Sequence, residues 1–263
     1  SLTLLKVAKL RILLSHTLFI GKRHIRLASA DSTNNWLKGY LEVHPTAPEG
    51  LAITASDQTN GRGQSGKRWE SAPGLNLAVS YLLRPTFLAP AGMFTLNKAI
   101  ALAVRDTVAE FLPETRIKWP NDIFSGNHKV AGILIESSVN SRVQWVVAGI
   151  GINVNQMKFG PEAPRAGSIA AISGHKIHID DLLQKLHIHL EHHYLRLRAG
   201  HDADMHQAYL DHLMAYQQSF RFIHDNQSFQ GVLTGVDPEG RMIVDMNGKI
   251  TSFAMGEITW EFD

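Results

Sequence analysis

A glycine-rich segment with the sequence GRGQSGKRW, Gly61 to Trp69, contains residue types that bind anions. Its three glycines let backbone N–H groups approach a phosphate or carboxylate closely, and Arg62, Lys67 and Arg68 add charge-assisted donors. Trp69 ends the segment, and an aromatic ring in this place can shield a bound ligand from water. The segment therefore predicts a loop that closes over an anionic ligand, with a solvated basic loop as the alternative.

Two other phosphate motifs match these letters in part. The spacing GxGxxG occurs, but a dinucleotide site requires the motif to follow a strand and open a helix, whereas a strand is predicted after it here. The phosphate-loop pattern fails at Arg68, which stands where a Ser or Thr would bind magnesium. We therefore reject both nucleotide folds.

The segment KWPND, Lys118 to Asp122, places an amide and a carboxylate just after a proline. Pro120 keeps the preceding residue extended and removes a ladder hydrogen bond, which predicts a sheet edge or the rim of a site. The next strand, KVAGILIE from Lys129 to Glu136, opens with a lysine and has a glycine three residues later. A strand end followed by a turn is the alternative interpretation.

A third segment, GIGINVN from Gly149 to Asn155, has two glycines in an otherwise β-branched strand. Glycine weakens a strand unless something must approach the backbone closely. A bound ligand and a tightly packed neighbouring element explain this pattern equally well.

Four histidines, His187, His189, His192 and His193, crowd one predicted helix. The HExxH pattern of a zinc site is absent, and the apolar stripe of the helix uses other positions. We therefore expect a solvated helix face and no metal site here.

The elements that must position these segments follow from hydrophobic periodicity and turn residues. A short helix is predicted after the N-cap oxygens of Asp31, Ser32 and Thr33, and a long loop from Gln58 to Gly74. The predicted strands are Leu51 to Ser56, Leu75 to Leu83, Arg116 to Phe124, Lys129 to Ser137 and Val143 to Asn153; the longer helices are Gly92 to Leu112, Asp180 to Arg198 and Asp202 to Tyr216. The last three strands form an antiparallel meander, and short strands from Ser219 onward predict a small β-barrel.

Composition limits the classes of protein that the chain can represent. Its 263 residues are 44% hydrophobic and 19% charged, which suits one large domain or one ordinary domain with a small one. The absence of cysteine excludes disulfide scaffolds and thiolate zinc sites, and agrees with a cytoplasmic location. A net charge of +2 does not indicate nucleic-acid binding, and Lys6, Lys9 and Arg11 interrupt the apolar stretch that a signal peptide or membrane span would need.

Taken together and in this order, the segments resemble those of biotin protein ligases. The resemblance rests on Ser32, Thr33 and Asn34, on Gln58 with GRGQSGKRW, and on KWPND, KVAGILIE and GIGINVN, and it continues into GVLTGVDPEG and GEI near the C terminus. It implies an α+β fold, with a mixed or antiparallel sheet flanked by helices as in class II aminoacyl-tRNA synthetases, followed by a C-terminal SH3-like β-barrel. The implied division is an N-terminal extension at 1–16, a catalytic domain at 17–217 and the SH3-like domain at 218–263.

The resemblance implies a two-step ligase that uses biotin, ATP and Mg²⁺. Biotin and MgATP would give biotinyl-5′-adenylate and pyrophosphate, and the biotinyl group would pass to one lysine of a biotin carboxyl carrier protein. Only 16 residues precede the matching region, so we expect no DNA-binding domain of the kind found in bifunctional members, and no DNA or membrane partner. The sequence leaves the oligomeric state open, and a homodimer is compatible with it.

Carried over residue by residue, the resemblance assigns three sets of site residues. The biotin-binding set is Ser32, Thr33, Asn34, Gln58, Gly61, Arg62, Trp69, Lys129, Gly132, Gly149 and Gly151. The ATP-binding or adenylate-binding set is Arg62, Gln64, Trp69, Lys118, Asn121, Lys129 and Asn153. Arg62, Lys129 and Asp122 would be catalytic, with Lys129 stabilising negative charge and Asp122 a candidate for the metal or for the incoming lysine.

One departure and two alternatives remain. Gln64 and Ser65 stand where prominent members carry arginine, so we expect this chain to retain its adenylate less tightly. A lipoate or octanoate ligase or transferase shares the implied fold and also acylates a carrier lysine. A biotin-binding regulator without catalysis is the alternative of another class, but it would not need the cations Arg62, Lys118 and Lys129 for a phosphate.

Overall fold

Seven strands form one mixed sheet in the computed structural model, which describes residues 17–66 and 68–262. The N-terminal extension predicted at 1–16 lies outside the described residues. The strands are β1 (His24–Ala30), β2 (Ala52–Gln58), β3 (Leu77–Leu83), β4 (Thr115–Lys118), β5 (Asp122–Ser125), β6 (His128–Val139) and β7 (Val143–Ile152). Their order is β1-β2-β3-β7-β6-β5-β4, in which β1 and β2 are parallel and all other neighbours are antiparallel.

Helices cover both faces of this sheet. They are α1 (Thr33–Val43), α2 (Met93–Ala109), α3 (Ile169–Ser173), α4 (Ile179–Arg198) and α5 (Asp202–Asp211). Alternate residues of β3 point to opposite faces, so Tyr81 joins the large core formed with α2 and α4, whereas Leu82 packs with Leu37 and Leu41 of α1. This confirms the α+β class and the helix-flanked sheet. Among the described helices, none is long and apolar enough to cross a membrane.

A second, antiparallel sheet follows from Ser219. Its strands are β8 (Ser219–His224), β9 (Gln227–Val236), β10 (Met242–Met246), β11 (Lys249–Phe253) and β12 (Thr259–Trp260), in the order β11-β10-β9-β8-β12. Asn247 and Gly248 both have positive φ and make the turn between β10 and β11, as an Asn-Gly pair between two short strands predicts. The pairing gives an open sheet of five strands, so closure into a barrel and a domain boundary at 217/218 stay predictions.

Two predicted elements differ from the structure, and strand β1 is an addition to the prediction. The predicted strand Arg116 to Phe124 is two strands, because residues 119–121 form the turn of a hairpin in which Lys118 pairs with Asp122. The helix predicted to reach Tyr216 ends at Asp211, since Met214 donates its N–H to the carbonyl of Ile117 and so pairs with β4. The strand β1 was not predicted at all.

The prediction of a solvated histidine face on α4 is wrong at two of its four positions, since only His192 is exposed and His189 is half-buried. His187 and His193 are buried, and the nearby Glu191 is 5% exposed. The Glu191 carboxylate accepts hydrogen bonds from the backbone N–H groups of Leu18, Phe19 and Ile20 at 2.5 to 3.0 Å. This flank of α4 therefore holds the start of the described chain, a tertiary contact that helical periodicity cannot reveal.

A pair of histidines, the half-buried His24 and the buried His187, links β1 to α4. The two rings are 6.2 Å apart, and His187 also meets the ring of Tyr81 at 5.6 Å. Burial lowers the pKa of both histidines from 6.5 to about 4, with a further contribution from Arg26 beside His24 and from His24 beside His187. Asp180 opposes the shift at His24 but does not cancel it. The folded protein therefore holds both rings neutral.

We predict that acid destabilises the fold through this pair. Between pH 6.5 and pH 4 the unfolded chain binds protons that the folded chain does not, so the free energy of unfolding must fall as pH falls through this window. In a His187→Phe variant, this decrease should be smaller by about 2 kcal/mol. Urea unfolding at a series of pH values measures it, with exposed His175→Gln as the control. Parallel curves for wild type and His187→Phe would contradict the prediction.

Candidate active site

A patch of sheet without side chains forms the floor of the candidate site. Gly132 on β6 and Gly151 on β7 lie directly opposite each other, and the Trp69 ring covers both. A β-carbon at Gly151 would lie 2.5 Å from Trp69 Cε2, and one at Gly132 would lie 3.0 Å from Cζ3. The indole therefore reaches the backbone only because both positions are glycine.

The N-terminus of α1 borders this floor and is held by side chains from the sheet. Ser32 is the N-cap residue but makes no side-chain capping bond. Instead, Gln58 Oε1 accepts hydrogen bonds from the Thr33 N–H at 3.0 Å and the Thr33 hydroxyl at 3.3 Å. The Ser80 hydroxyl lies 2.7 Å from Thr33 Oγ1 and 2.6 Å from Asn34 Oδ1. The Gln58 side chain on β2 therefore caps α1 in place of the predicted oxygens of Asp31, Ser32 and Thr33.

Gly149 completes the floor on the side of α1. A β-carbon there would lie 2.3 Å from Asn34 Oδ1. Close packing by the protein's own side chains, Asn34 and Trp69, accounts for the glycines of GIGINVN in the described structure. Gly61 is equally confined, because its β-carbon would lie 2.5 Å from the Trp69 carbonyl oxygen and 2.7 Å from Gln58 Nε2.

A partly buried carboxylate organises the cations at one end of the site. Glu136 accepts hydrogen bonds from Lys38 at 2.7 Å and Asn34 at 2.9 Å, and its Oε1 lies 3.4 Å from Arg62 Nη2. Burial by itself would raise the pKa of Glu136, but the hydrogen bonds from Lys38 and Asn34 outweigh it and lower the pKa. Arg62 also donates to Asn35 Oδ1 at 2.6 Å. The guanidinium is therefore held at the rim by protein acceptors.

At the other end, Lys129 and Asp122 form an ion pair. Lys129 Nζ lies 2.6 Å from Asp122 Oδ1 and 5.9 Å from the centre of the Trp69 ring. The Nζ of Lys118 lies over the rings of Trp260 and Phe124 at 5.6 and 6.0 Å. Lys118 therefore faces Asp122 across the β4–β5 hairpin and also contacts aromatic rings, one of them near the C terminus.

Two buried polar atoms next to this pair have no hydrogen-bond partner within the described part of the chain. They are the donor Nε1 of Trp69 and the acceptor Oδ1 of Asn153. Asn153 is 2% exposed, and its amide nitrogen donates to the Lys129 carbonyl at 3.3 Å. Buried polar atoms rarely stay unpaired in a folded protein, so both atoms are free to meet a ligand.

The site contains no preformed metal cage. Among residues 17–66 and 68–262, no three His, Asp or Glu side chains come together as a metal site would require. Asp122 is a single carboxylate and is already paired with Lys129. Mg²⁺ is usually held by one or two carboxylates together with substrate phosphates, so the magnesium implied by the resemblance would need further ligands from a bound substrate.

A wide cleft lies elsewhere in the described part of the chain. It has a volume of about 1050 Å³ and is lined by residues that include Arg26, Thr54, Asn76 and Asp180. Thr54 alternates along β2 with Ile53, which packs against α1, so this cleft opens on the face opposite the glycine floor. In the candidate site itself, the indole of Trp69 fills the space above the glycines.

Sequence reasoning missed three side chains that shape the site, namely Ser80, Glu136 as a partner of Arg62, and Asn97. Asn97 on α2 accepts a hydrogen bond from Asn121, which in turn accepts one from Gln64. Ser80 is the single polar residue of the apolar strand LAVSYLL, and Asn97 lies in a largely apolar helix. For Ser80, its place as a lone polar residue in an otherwise apolar strand was the available signal.

The comparisons with known proteins agree on one family. Residues 27–153 match the model of the biotin/lipoate A/B protein ligase family. A biotin–acetyl-CoA-carboxylase ligase of Paracoccus denitrificans is 35% identical over 168 residues, which cover 61% of this chain and 68% of that protein. A bifunctional ligase/repressor BirA of Bacillus spizizenii is 32% identical over 217 residues, covering 81% of this chain and 66% of the relative. The chain thus spans just under two thirds of that longer relative.

A solved structure supports the same assignment. The biotin protein ligase of Aquifex aeolicus in complex with biotin and ATP has a TM-score of 0.77 and 25% sequence identity to this chain. The match covers 92% of this chain and 100% of the Aquifex chain.

We predict that a methyl group at Gly151 displaces Trp69. A Gly151→Ala variant should shift the indole away from the floor into water, because the new β-carbon would overlap the ring. The measurement is the Trp69 contribution to fluorescence, obtained by subtracting the spectrum of the same variant carrying Trp69→Phe; it should move to longer wavelength. Gly39→Ala, where nothing lies within 4 Å of the added carbon, is the control and should leave the Trp69 emission unchanged.

Proposed function

The chain belongs to the biotin/lipoate A/B protein ligase family, and from this premise we propose that it activates biotin with ATP and transfers biotin to a carrier lysine. The acceptor is a lysine of a biotin carboxyl carrier protein. The 35% identity to a named biotin–acetyl-CoA-carboxylase ligase carries the proposal and favours biotin over lipoate or octanoate. The arrangement of Lys129, Asp122 and Trp69 around a glycine floor supports an enzyme rather than a biotin-binding regulator.

In the first step, a carboxylate oxygen of biotin attacks the α-phosphorus of ATP, and pyrophosphate leaves. Two anions must approach each other, so the step needs cations and N–H donors at the reacting atoms. Lys129 is the proposed catalytic cation, and its ion pair with Asp122 holds it beside the glycine floor. Arg62 is the second cation and would exchange its contact with Glu136 for the carboxylate or phosphate.

In the second step, the amine of the carrier lysine attacks the carbonyl carbon of the adenylate, an amide forms and AMP leaves. Asp122 is the proposed acceptor for the proton that the amine must lose. Its alternative role belongs to the first step, in which it would be a ligand of the magnesium bound to ATP. Trp69 covers the floor and would keep water from the mixed anhydride. An SH3-like barrel formed by 218–263 is part of the same proposal.

The remaining site residues have proposed roles that follow their positions. Gln58, Thr33, Ser32 and Asn34 lie at the N-terminus of α1 and would bind the polar end of biotin. Gly132, Gly149, Gly151 and Gly61 would allow close approach of biotin. Asn153, Asn121 and Gln64 would contact the nucleotide, whereas the position of Lys118 beside Trp260 gives its nucleotide role less support. Weaker retention of the adenylate, expected from Gln64 and Ser65, stays a prediction.

We predict biotin-dependent exchange of labelled pyrophosphate into ATP. The purified chain is mixed with MgATP and, in separate tubes, biotin, lipoate or octanoate. Exchange with biotin alone supports the first step and the acid specificity. Exchange with lipoate or octanoate instead would move the chain to the related acyl ligases, and no exchange with any acid would support a binding protein without catalysis.

We predict that Lys129→Ala slows adenylate formation by a factor of about 100 or more, because a preorganised charge at a developing anion has an effect of this order. The rate is measured in a single turnover with excess enzyme. Lys158→Ala removes an exposed lysine outside the site and is the matched control. If carrier labelling by Lys129→Ala equals that of the control, the catalytic assignment of Lys129 is wrong.

A further inference from the structure

Three side-chain amides form a directed hydrogen-bond chain from helix α2 to the candidate nucleotide site. Asn97 Nδ2 donates to the Pro120 carbonyl at 3.3 Å, and Asn121 Nδ2 donates to Asn97 Oδ1 at 2.5 Å. Gln64 Nε2 then donates to Asn121 Oδ1 at 2.8 Å and to the Ile133 carbonyl at 3.2 Å. Asn97 and Asn121 each donate one hydrogen bond and accept one, and Gln64 donates two. The orientations of the three amides therefore depend on each other.

Both ends of the chain fix the same polarity. An amide side chain can turn either its oxygen or its nitrogen to a neighbour, and the partner decides which. The Pro120 carbonyl can only accept, and the Tyr209 hydroxyl also donates to it at 2.7 Å. Asn97 must therefore offer its nitrogen to Pro120 and its oxygen to Asn121. At the other end, the Ile133 carbonyl likewise requires the nitrogen of Gln64.

The orientation of Asn97 determines the orientation of Asn121, which is 2% exposed. Its nitrogen is used by Asn97, so the group that it turns toward residue 64 is an oxygen. A buried oxygen that faces another acceptor is unfavourable, because neither group can then be satisfied. Position 64 must consequently supply a hydrogen-bond donor for as long as Asn97 holds Asn121 in this orientation.

We propose that Asn97, which acts on the nucleotide side only through Asn121, is a positioning residue that fixes the amide of Asn121 with its oxygen toward the nucleotide side. Asn121 then selects donors, such as the Gln64 amide or an N–H or O–H group of a bound nucleotide, and rejects acceptors such as phosphate oxygens. The nucleotide part of this inference rests on the proposed function; the polarity of the amide chain does not.

Replacing the hydrogen-bond donor at position 64 by an acceptor tests the polarity of the amide chain. Gln64→Glu has the same shape, but its carboxylate would face the oxygen of Asn121. We expect it to lower the melting temperature of the ligand-free protein by about 3 °C. In an Asn97→Leu background, Asn121 is free to turn and donate its nitrogen to the new carboxylate. The same Gln64→Glu change should then cost only about 1 °C, the part that comes from the lost donation to the Ile133 carbonyl and that is common to all backgrounds.

Asn97→Asp is the matched control for this cycle. Its carboxylate still accepts from Asn121 Nδ2, so the polarity stays fixed and the full loss of melting temperature caused by Gln64→Glu should persist. If Asn97→Leu does not fold, Asn97→Ala provides a second background that cannot accept a hydrogen bond. Equal losses in the leucine, alanine and aspartate backgrounds would overturn the proposal, since a merely structural asparagine would give additive effects.

The KM for ATP in pyrophosphate exchange extends the test to the nucleotide. Gln64→Glu should raise this KM about tenfold in the wild-type background, and by less than about threefold in the Asn97→Leu background. The added negative charge is common to both comparisons and therefore cancels in their ratio. An absence of exchange in the wild type would count against the proposed function alone, whereas exchange with additive variants would count against the amide polarity alone.

Discussion

The absence of side chains at two facing positions of the sheet is the constraint on which the site depends. Gly132 and Gly151 are partners across β6 and β7, so the backbone of both strands is exposed on the same face. A β-carbon at either position would come within 3.0 Å of the Trp69 ring. Three groups surround this patch: the Trp69 indole, the ion pair of Lys129 with Asp122, and the N-terminus of α1.

Polar side chains buried beside the floor are satisfied by specific partners, with two exceptions. Ser80, Thr33, Asn34 and Gln58 bond to one another, and Asn97 and Asn121 continue the pattern on the side of α2. Such networks impose one arrangement, since an unpaired buried group costs about 1 to 3 kcal/mol. The exceptions among the described residues of this region, Trp69 Nε1 and Asn153 Oδ1, are the atoms that the proposed ligand would have to satisfy.

Periodicity predicted the parts of the fold that depend on local sequence. The stripe of Leu96, Ile100 and Val104 gave α2, and the Asn247–Gly248 pair gave a hairpin turn. What could not be predicted depends on contacts between distant segments. β1 was missed because its burial alternates only in part, and the buried flank of α4 depends on Glu191 binding the chain near Phe19. The motifs located the site, but not the partners Ser80, Glu136 and Asn97.

The carboxylate at the rim explains how the cations of the proposed anion site can lie close together in the folded protein. Lys38 and Arg62 converge on Glu136, which neutralises part of their mutual repulsion in the ligand-free protein. The contact to Arg62 is weak, because its guanidinium is 42% exposed and 3.4 Å from the carboxylate, and exposed pairs contribute little in water. The contact to Lys38 is shorter and more buried. In the proposed site, an incoming phosphate or carboxylate would therefore compete for Arg62 at small cost, while the hydrogen bond from Lys38 keeps Glu136 ionised and in place.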